Sequence, residues 1–240
     1  MLTHGACAAA VDPGDATPVL AYLQQHRLTL CGILVTHHHD DHIGGIESIL
    51  RHCDAPVFAP RGEHFSFAHR PVAEGDTINL AELETALDVL DIPGHTGGHV
   101  AYYGGNSLFC GDTLFGCGCG RVFDSDCRQL HRSLQKLARL PDETEIYCAH
   151  EYTLANLRFA RLVDPDNPLL LERERRDAAR AAQGLPTLPS TLGLEKATNP
   201  FLRCHTPAIQ FAAGLSHTQA PNAEETAFFL LREFKNNYKS

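Results

Sequence analysis

The sequence predicts an α/β domain of α+β character, followed by a small helical domain at the carboxyl terminus. Short apolar runs of strand length alternate with amphipathic segments as far as about residue 153. Polar residues of the kind that bind metals follow several of these runs directly. Beyond that point helical patterns dominate and no strand is predicted. We therefore expect a larger domain over residues 1–153 and a helical domain over residues 154–240.

The overall composition is that of a globular protein that binds neither nucleic acid nor membrane. Hydrophobic residues make up 43% of the 240 residues and charged residues 20%, which allows one sizeable core. The formal net charge of −9 opposes binding to a phosphate backbone. No apolar stretch approaches the ~20 residues of a membrane-spanning helix, and the amino terminus lacks the basic region of a secretory signal.

The nine cysteines are scattered without the regular spacing of a disulfide framework. Several lie within apolar runs, where cysteine acts as a small core residue. The close pair Cys117 and Cys119 is interpreted as part of a tight glycine loop, because C-x-C without a second pair is a weak zinc signal. This cysteine usage predicts a reducing compartment, hence the cytoplasm.

The first elements are apolar runs that end at turn or cap residues. Residues 8–11 predict a strand. The helix that follows is predicted to have Thr17 as its N-cap and Pro18 at its first helical position. Residues 33–36 predict a buried strand, and residues 46–50 carry the apolar side of a short helix.

The same alternation continues through the rest of the larger domain. A helix over residues 130–137 is predicted to be capped by Ser125 or Asp126. Strands are predicted over residues 56–59, 77–80, 87–92, 100–103, 107–110 and 145–148.

Helices account for the predicted structure of the second domain. They are expected over residues 157–162 and 169–183, with Gly184 as a stop, and in a last segment that ends near Lys235. The mixed charges of residues 172–176 are interpreted as a solvated helix face.

A dense metal-ligand motif begins at the end of the strand predicted over residues 33–36. It is His-x-His-x-Asp-His, with candidate ligands at His37, His39, Asp41 and His42. Imidazole together with carboxylate suits Zn²⁺, Fe or Mn rather than Ca²⁺ or Mg²⁺. Alternate side chains of an extended segment share a face, so His37 and His39 are expected on one metal. Because the chain turns at Asp41 and His42, those two are expected at a neighbouring position, and the motif predicts two adjacent metals.

Three further ligands are predicted just past the carboxyl ends of other strands, where α/β sheets build their sites. They are His95, Asp112 and His150. A two-metal site needs about three protein ligands for each metal and a shared carboxylate. The resulting assignment is His37, His39 and His95 on one metal, Asp41, His42 and His150 on the other, and Asp112 as the bridge.

Other polar residues near the motif are predicted either to support the ligands, as for His99, or to have a supporting or purely structural role, as for His38 and Asp40. His38 and Asp40 occupy the intervening positions and face away from the metals. His99 lies four residues after His95, but the glycines between them oppose a helical ligand pair.

The ligand pattern and several motifs resemble those of the metallo-β-lactamase fold and, within it, the glyoxalase II family of hydroxyacylglutathione hydrolases. The resemblance to the fold rests on the seven candidate ligands. The resemblance to the family covers essentially the whole chain. It rests on residues 93–96, 111–115, 118–121, 150–153 and 199–201, and on the Arg-x-x-Lys pair at 232 and 235.

This resemblance implies a two-layer αββα sandwich with a helical carboxyl-terminal domain, and two divalent metals that are usually zinc and sometimes iron or manganese. It implies a glutathione thioester substrate, chiefly S-D-lactoylglutathione, cleaved to glutathione and D-lactate in the second step of methylglyoxal detoxification. By the family pattern Arg121, Tyr152, Arg232 and Lys235 bind the glutathione moiety, whose two carboxylates suit Arg and Lys. Phe123 stands where the family often has tyrosine, so one hydroxyl contact is expected to be missing.

The expected catalytic residues are Asp41 and Asp112. A hydroxide between the metals is the expected nucleophile, because coordination lowers the pKa of water from about 15.7 to about 7. Asp112 is expected to hold both metals and Asp41 to orient the hydroxide. The thiolate leaving group, with a pKa of about 8.5, needs no strong acid.

Several alternatives remain open from the sequence. The chain begins at a position that resembles the interior of the family sequence, so one strand is expected to be absent and a pairing edge exposed. An inactive truncated form is therefore one alternative. A mononuclear-iron persulfide dioxygenase of the same fold is another, which the pair Arg232 and Lys235 disfavours. A β-lactamase or a nuclease is disfavoured by the glutathione-type residues and by the acidic charge. A monomer is expected.

Overall fold

Two β-sheets lie face to face between two layers of helices. The computed structural model describes residues 1–215 and 222–238. Between the sheets, Ala9 and Leu34 of the first sheet pack in one buried cluster with Leu87, Val89 and Tyr102 of the second. This arrangement is the predicted αββα sandwich.

The first sheet has five strands in the order in which they occur in the chain. They are β1 (Leu2–His4), β2 (Cys7–Val11), β3 (Thr29–Leu34), β4 (Val57–Pro60) and β5 (Arg70–Val72). Strands β2 to β5 run parallel, and β1 is antiparallel to β2. The carboxyl ends of β2 and β3 therefore meet at one edge, directly before Asp12 and the histidine motif.

The second sheet has six strands in the order β13-β12-β9-β8-β7-β6, and a separate two-stranded hairpin, β10-β11, follows β9. The strands are β6 (Thr77–Leu80), β7 (Thr85–Asp91), β8 (Val100–Gly104), β9 (Ser107–Gly111), β10 (Leu114–Phe115), β11 (Gly118–Cys119), β12 (Glu145–Cys148) and β13 (Ser190–Thr191). Because β8 is antiparallel to both β7 and β9, and β9 is parallel to β12, the carboxyl ends of β7, β9 and β12 share one edge.

Helices cover the outer face of each sheet. They are α1 (Ala16–His26), α2 (Asp40–Ile43), α3 (Ile46–Leu50), α4 (Cys127–Leu137), α5 (Thr153–Val163), α6 (Pro168–Ala182), α7 (Leu192–Thr198), α8 (Pro207–Ala212) and α9 (Ala223–Asn237), with 3₁₀-helices at Ala81–Leu83 and Pro200–Leu202. Leu23 and Ile49 of α1 and α3 pack with Ile33 of the first sheet. Phe228 of α9 packs in the cluster that contains Leu108 of the second sheet. Within the described ranges, no helix combines the length and the apolarity needed to cross a bilayer.

Two predicted helix starts have different outcomes. The prediction of Thr17 as the N-cap of α1 is wrong, because Asp15 caps the helix and accepts a hydrogen bond from the Thr17 N–H. The prediction of Pro18 at the first helical position is also wrong, because Pro18 is the third residue of α1. It still lies in the first turn, where a missing N–H leaves no helical bond unmade. For α4 the choice of Asp126 is confirmed, since its carboxylate accepts from the Gln129 N–H.

The expectation of no strand after residue 153 is wrong. Strand β13 pairs antiparallel with β12, and Ser190 lies opposite Ile146. Two residues are too few to show the alternation that identifies a strand in a sequence. The helical part of the chain is therefore joined to the second sheet by main-chain pairing.

The short strands β1 and β5 were also not predicted. Strand β1 pairs with β2, with Thr3 opposite Ala8, so the edge of this sheet is a three-residue strand. Natural sheets often end on such short strands, which offer little backbone for pairing with another chain.

The interpretation of residues 172–176 as a solvated face is wrong for Arg173. Its side chain is 0% exposed and donates hydrogen bonds to Asp177, Glu195 and Thr198. A charged run can hide such a residue, since one helical position in every three or four faces inward.

Candidate metal centre

The ends of four strands converge where the two sheets meet. The Tyr102 hydroxyl of β8 donates to the Val35 carbonyl oxygen at 2.6 Å. The Val100 N–H donates to the Thr36 carbonyl oxygen at 3.0 Å. These bonds fix the end of β3 against the second sheet and bring the histidine motif to the edge where β7, β9 and β12 end.

The first group of candidate ligands is formed by three histidines. Nδ1 of His39 lies 3.1 Å from Nε2 of His37 and 3.0 Å from Nε2 of His95. In a tetrahedral zinc site with Zn–N bonds of about 2.0–2.1 Å, two ligand nitrogens are about 3.3 Å apart. The spacing therefore suits one metal ion among the three rings.

The second group combines a carboxylate with two histidines. Oδ2 of Asp41 lies 3.4 Å from Nε2 of His150 and 3.8 Å from Nε2 of His42. The ligand atoms of this group all lie within 4.8 Å of one another, as do those of the first group. His42 is buried and Asp41 is exposed, so this group opens toward solvent.

Asp112 lies between the two groups. Its Oδ1 is 3.4 Å from Nε2 of both His42 and His150, and its Oδ2 is 3.5 Å from Nε2 of His95. One carboxylate oxygen thus faces each group. This is the placement that a bridging ligand requires.

Between the two ligand groups, some buried polar atoms lack hydrogen-bond partners within the described part of the chain. Among the residues that the structure describes, His42 Nε2 and Asp112 Oδ1 are buried without a hydrogen-bond partner. Such groups are unfavourable unless something else satisfies them. Imidazole and carboxylate donors aimed at shared points are the ligand set of Zn, Fe and Mn. The donor set therefore fits divalent metal ions.

A chain of hydrogen bonds that ends at Asp12 orients two of the ligands. Oδ1 of Asp12 accepts from the Thr36 N–H at 2.7 Å, and Oδ2 accepts from the Thr36 hydroxyl at 2.7 Å and from His42 Nδ1 at 3.0 Å. Because its hydroxyl donates to Asp12, Thr36 accepts from His37 Nδ1 at 3.0 Å. Both imidazoles then turn Nε2 toward the metal position.

Backbone groups and His99 orient the other ligands. Nδ1 of His95 donates to the Arg121 carbonyl oxygen at 2.8 Å. Nδ1 of the buried His99 donates to the Val100 carbonyl oxygen at 3.0 Å, so its Nε2 accepts from the Asp112 N–H at 3.2 Å. His99 therefore supports Asp112 from behind and keeps no free nitrogen for a metal.

Burial and neighbouring charges set the protonation of the site. Burial lowers the pKa of His37. Burial also acts to lower the pKa of His42, but the nearby carboxylates of Asp112 and Asp12 outweigh it and raise this pKa to about 10. Burial alone would raise the pKa of Asp112, yet its contacts with His150 and His42 hold that pKa well below its usual range. An incoming metal therefore has a proton on His42 to displace.

Two aromatic side chains stand at the mouth of the site. Phe123 is 63% exposed, and its ring centroid lies 5.1 Å from those of His39 and His95. Tyr152 is 50% exposed and stacks on His150 at 4.9 Å. Each ring thus borders one ligand group and stays open to a ligand.

The predicted cationic residues lie at different depths. Arg121 is exposed next to the mouth. Arg232 is only 5% exposed, and its Nη1 donates to the carbonyl oxygens of Cys119 at 3.0 Å and Gly120 at 3.3 Å. Burial and the neighbouring Arg232 lower the pKa of the half-buried Lys235 to about 8. In this structure Arg232 therefore supports the loop under the site, and Arg121 is the cation open to solvent.

Two carboxylates that support the ligands were not predicted from the sequence. Asp12 follows β2, whose carboxyl end lies beside that of β3, so the strand-end rule would have found it. Glu63 follows β4 by three residues, lies 3.0 Å from His38 Nδ1 and accepts from the Thr96 hydroxyl. It thereby ties together the two loops that supply the first ligand group.

Two protein families match this chain, one in each of its two parts. Residues 2–150 match the metallo-beta-lactamase superfamily, and residues 151–238 match the hydroxyacylglutathione hydrolase C-terminus. A hydroxyacylglutathione hydrolase of Nitrosomonas eutropha is 54% identical over 229 residues, which cover 95% of this chain and 90% of that protein.

Solved structures share the fold. ETHE1 from Myxococcus xanthus has a TM-score of 0.63 and 26% sequence identity, covering 94% of this chain and 88% of that one. A protein crystallised in a di-iron-bound form has a TM-score of 0.58 and 29% identity, covering 80% of this chain and 88% of that one. The predicted fold is thus confirmed.

Proposed function

Because this chain belongs to the hydroxyacylglutathione hydrolase family of the metallo-β-lactamase fold, we propose that it hydrolyses 2-hydroxyacyl-glutathione thioesters, chiefly S-D-lactoylglutathione, to glutathione and the hydroxy acid. The observation that carries the proposal is the position of Asp112, with one carboxylate oxygen toward each group of ligands. This geometry suits a two-metal hydrolase.

We assign two metal ions to this chain, with zinc as the preferred pair. The assignment is His37, His39 and His95 for one ion, Asp41, His42 and His150 for the other, and Asp112 for both. When bound, such ions supply Lewis acidity and an activated water at neutral pH. Asp41 is exposed at the edge of the second group, where its free oxygen is placed to orient a water that enters from solvent.

The mouth of the site supplies contacts for the glutathione moiety. Glutathione is anionic at neutral pH, and the exposed guanidinium of Arg121 can pair with a carboxylate in two parallel hydrogen bonds. Tyr152 offers a phenolic donor beside His150. Arg232 adds positive charge beneath the loop over residues 118–121, and Lys235 adds a second positive charge near Arg232. Phe123 offers an apolar ring and no hydroxyl, so binding at that point relies on packing.

The proposed site includes no residue assigned to protonate the leaving group, and a thiolate leaving group does not need one. A free thiol has a pKa of about 8.5, so glutathione departs readily as a thiolate. Burial lowers the pKa of His95, which keeps this imidazole neutral and suited to binding metal. The site is therefore adapted to thioesters, whose leaving groups need no protonation.

The test is hydrolysis of S-D-lactoylglutathione by purified protein, with metal content measured on the same sample. Turnover with about two metals per chain is the expected result. Oxygen consumption with glutathione persulfide, together with about one iron per chain and no thioester turnover, would replace this proposal with the persulfide dioxygenase. Little metal and no turnover would instead support an inactive form.

Two further expectations belong to this proposal. All seven assigned ligands come from one chain, which supports action as a monomer. None of the nine cysteines forms a disulfide, which supports function in a reducing compartment such as the cytoplasm.

A further inference from the structure

We propose that Glu195, in the helical part of the chain, is a positioning residue for the metal centre. It acts through the loop over residues 112–121, which contains the hairpin β10-β11 and which we call the bridge loop. This inference rests on the proposed metal assignment. It adds a role for a residue on α7, a helix that contributes none of the seven candidate ligands.

The bridge loop connects two of the candidate ligands. It begins at Asp112, and its last residue, Arg121, accepts the hydrogen bond from His95 Nδ1 at 2.8 Å. Between them, the Gly120 N–H donates to the Thr113 carbonyl oxygen at 3.1 Å. A Cβ at Gly120 would lie 2.0 Å from the Asp112 carbonyl oxygen, so the loop packs directly on the residue that faces both groups. A shift of the loop therefore moves Asp112 and the partner of His95 together.

Glu195 holds the tip of this loop. Its Oε2 accepts from the Cys117 N–H at 2.8 Å and from Asn199 Nδ2 at 3.1 Å. Asn199 Nδ2 also donates to the Gly118 carbonyl oxygen at 2.9 Å. Cys117 has a φ of +56°, a conformation that a non-glycine residue adopts only when its surroundings hold it there. The carboxylate of Glu195 is thus the acceptor that fixes the hairpin turn.

The other oxygen of the same carboxylate is committed to an ion pair. Oε1 of Glu195 accepts from Arg173 Nη2 at 2.6 Å and from the Ser190 hydroxyl at 2.5 Å. Neither Arg173 nor Glu195 has an exposed side chain. A buried carboxylate with four donors around it has little freedom to move, which makes it a rigid anchor. The ion pair fixes Glu195, and Glu195 fixes the loop.

A matched pair of double variants separates the two functions of Glu195. In R173M/E195Q the ion pair is gone, but the amide oxygen can still accept from Cys117 and Asn199 while its NH₂ group donates to Ser190. In R173M/E195M the residue has nearly the same shape and no acceptor. Both variants leave all seven candidate ligands in place.

Zinc affinity, measured by competition with a chromophoric chelator, is the first readout. We expect R173M/E195M to bind zinc at least about tenfold more weakly than R173M/E195Q, the scale on which residues that orient metal ligands act. The visible absorption of the cobalt-loaded proteins should differ in the same order, since it reports ligand geometry. With S-D-lactoylglutathione we expect a lower kcat and a largely unchanged KM.

Equal zinc affinities and equal cobalt spectra in the two variants would overturn the proposal and leave Glu195 a purely structural residue. Because these readouts need no substrate, they stand whether or not the protein hydrolyses this thioester. If either double variant fails to fold, E195A is compared with D177A. Each of these removes one carboxylate partner of Arg173, and only E195A also removes the acceptor for Cys117. Equal losses of zinc affinity in that pair would likewise overturn the proposal.

Discussion

Two buried polar clusters in this protein differ in how completely their polar atoms are paired. In the metal centre, His42 Nε2 and Asp112 Oδ1 are buried and unpaired among the described residues. In the cluster around Arg173, the guanidinium donates to Asp177, Glu195 and Thr198. The first cluster has donor atoms aimed at positions that another group must fill. The second is complete in itself.

The difference shows how a buried polar cluster can be interpreted. A cluster whose hydrogen bonds all close within the protein fixes a shape. A cluster of imidazoles and carboxylates with unpaired atoms is a binding site, because burial of those atoms is unfavourable until a ligand arrives. Exposure alone does not separate the two, since His37 and Arg173 are both almost completely inaccessible to solvent.

The largest effect is expected from removal of the residue between the two ligand groups. Asp112→Ala should abolish binuclear loading and turnover, because no other carboxylate is assigned to both metals. Metal analysis and thioester hydrolysis measure this. Asp54→Ala, at an exposed position outside the ligand groups, serves as control and should keep both. A fully loaded and fully active Asp112→Ala protein would refute the assignment.

In the cluster around Arg173, the largest effect of a substitution should be on the stability of the folded protein. Arg173→Ala leaves the carboxylates of Asp177 and Glu195 buried without their main partner, which should lower the free energy of unfolding by about 3–5 kcal/mol. Arg176→Ala removes a half-exposed partner of Asp177 and should cost under about 1 kcal/mol. Urea denaturation of both variants measures this, and equal losses would contradict the contrast between the clusters.

Support of the ligands should matter less than the ligands themselves. Asp12→Asn keeps the shape of the side chain but removes the charge that orients His42 and Thr36, so zinc affinity should fall by about 10- to 100-fold. Chelator competition measures the change. Affinity equal to that of the unaltered protein would show that Asp12 has no such role.

Metal binding should release protons. The pKa of His42 is raised to about 10 through Asp112 and Asp12, against the opposing effect of burial, so at neutral pH this imidazole is protonated before a metal binds. The metal must displace that proton, and affinity should therefore rise with pH up to about 10. Calorimetric titration in buffers of different ionisation enthalpy counts the protons; a count of zero would contradict the assignment of His42.

The smallest effect concerns the mouth of the site. Phe123→Tyr adds a hydroxyl beside His39 and His95, and one new hydrogen bond of about 1 kcal/mol should lower KM for S-D-lactoylglutathione about fivefold. Phe123→Leu serves as control and should not lower KM. Steady-state kinetics distinguishes them, and an unchanged KM for Phe123→Tyr would show that glutathione does not reach this ring.

The residues of the metal centre could be predicted from the sequence better than those of the cluster around Arg173, and the reasons are physical. The candidate ligands occur in a local motif or at strand ends, so their spacing along the sequence predicts their positions in the fold. Arg173 and Glu195 lie 22 residues apart, and nothing in a mixed charge run marks which member turns inward. Strand β13 was missed because its two residues become a strand only by pairing with β12.

The residues that support the ligands were also harder to predict from the sequence than the ligands themselves. His95 and Asp112 could be predicted because each lies just past a strand end and is of the residue type that completes the ligand set of the histidine motif. Glu63 follows β4 by three residues and acts through Thr96 and His38, which is a tertiary contact that no local pattern records. Prediction from sequence therefore identified the candidate ligands and the supporting residue His99, but not the supporting residues Asp12 and Glu63.

The most direct test of the central contrast is a crystal structure of the zinc-loaded protein with anomalous diffraction at the zinc edge. We predict two peaks on either side of Asp112, each with ligand bonds of about 2.0–2.2 Å, and no peak at the cluster around Arg173. A single peak, or two peaks that Asp112 does not contact, would contradict this account of the site.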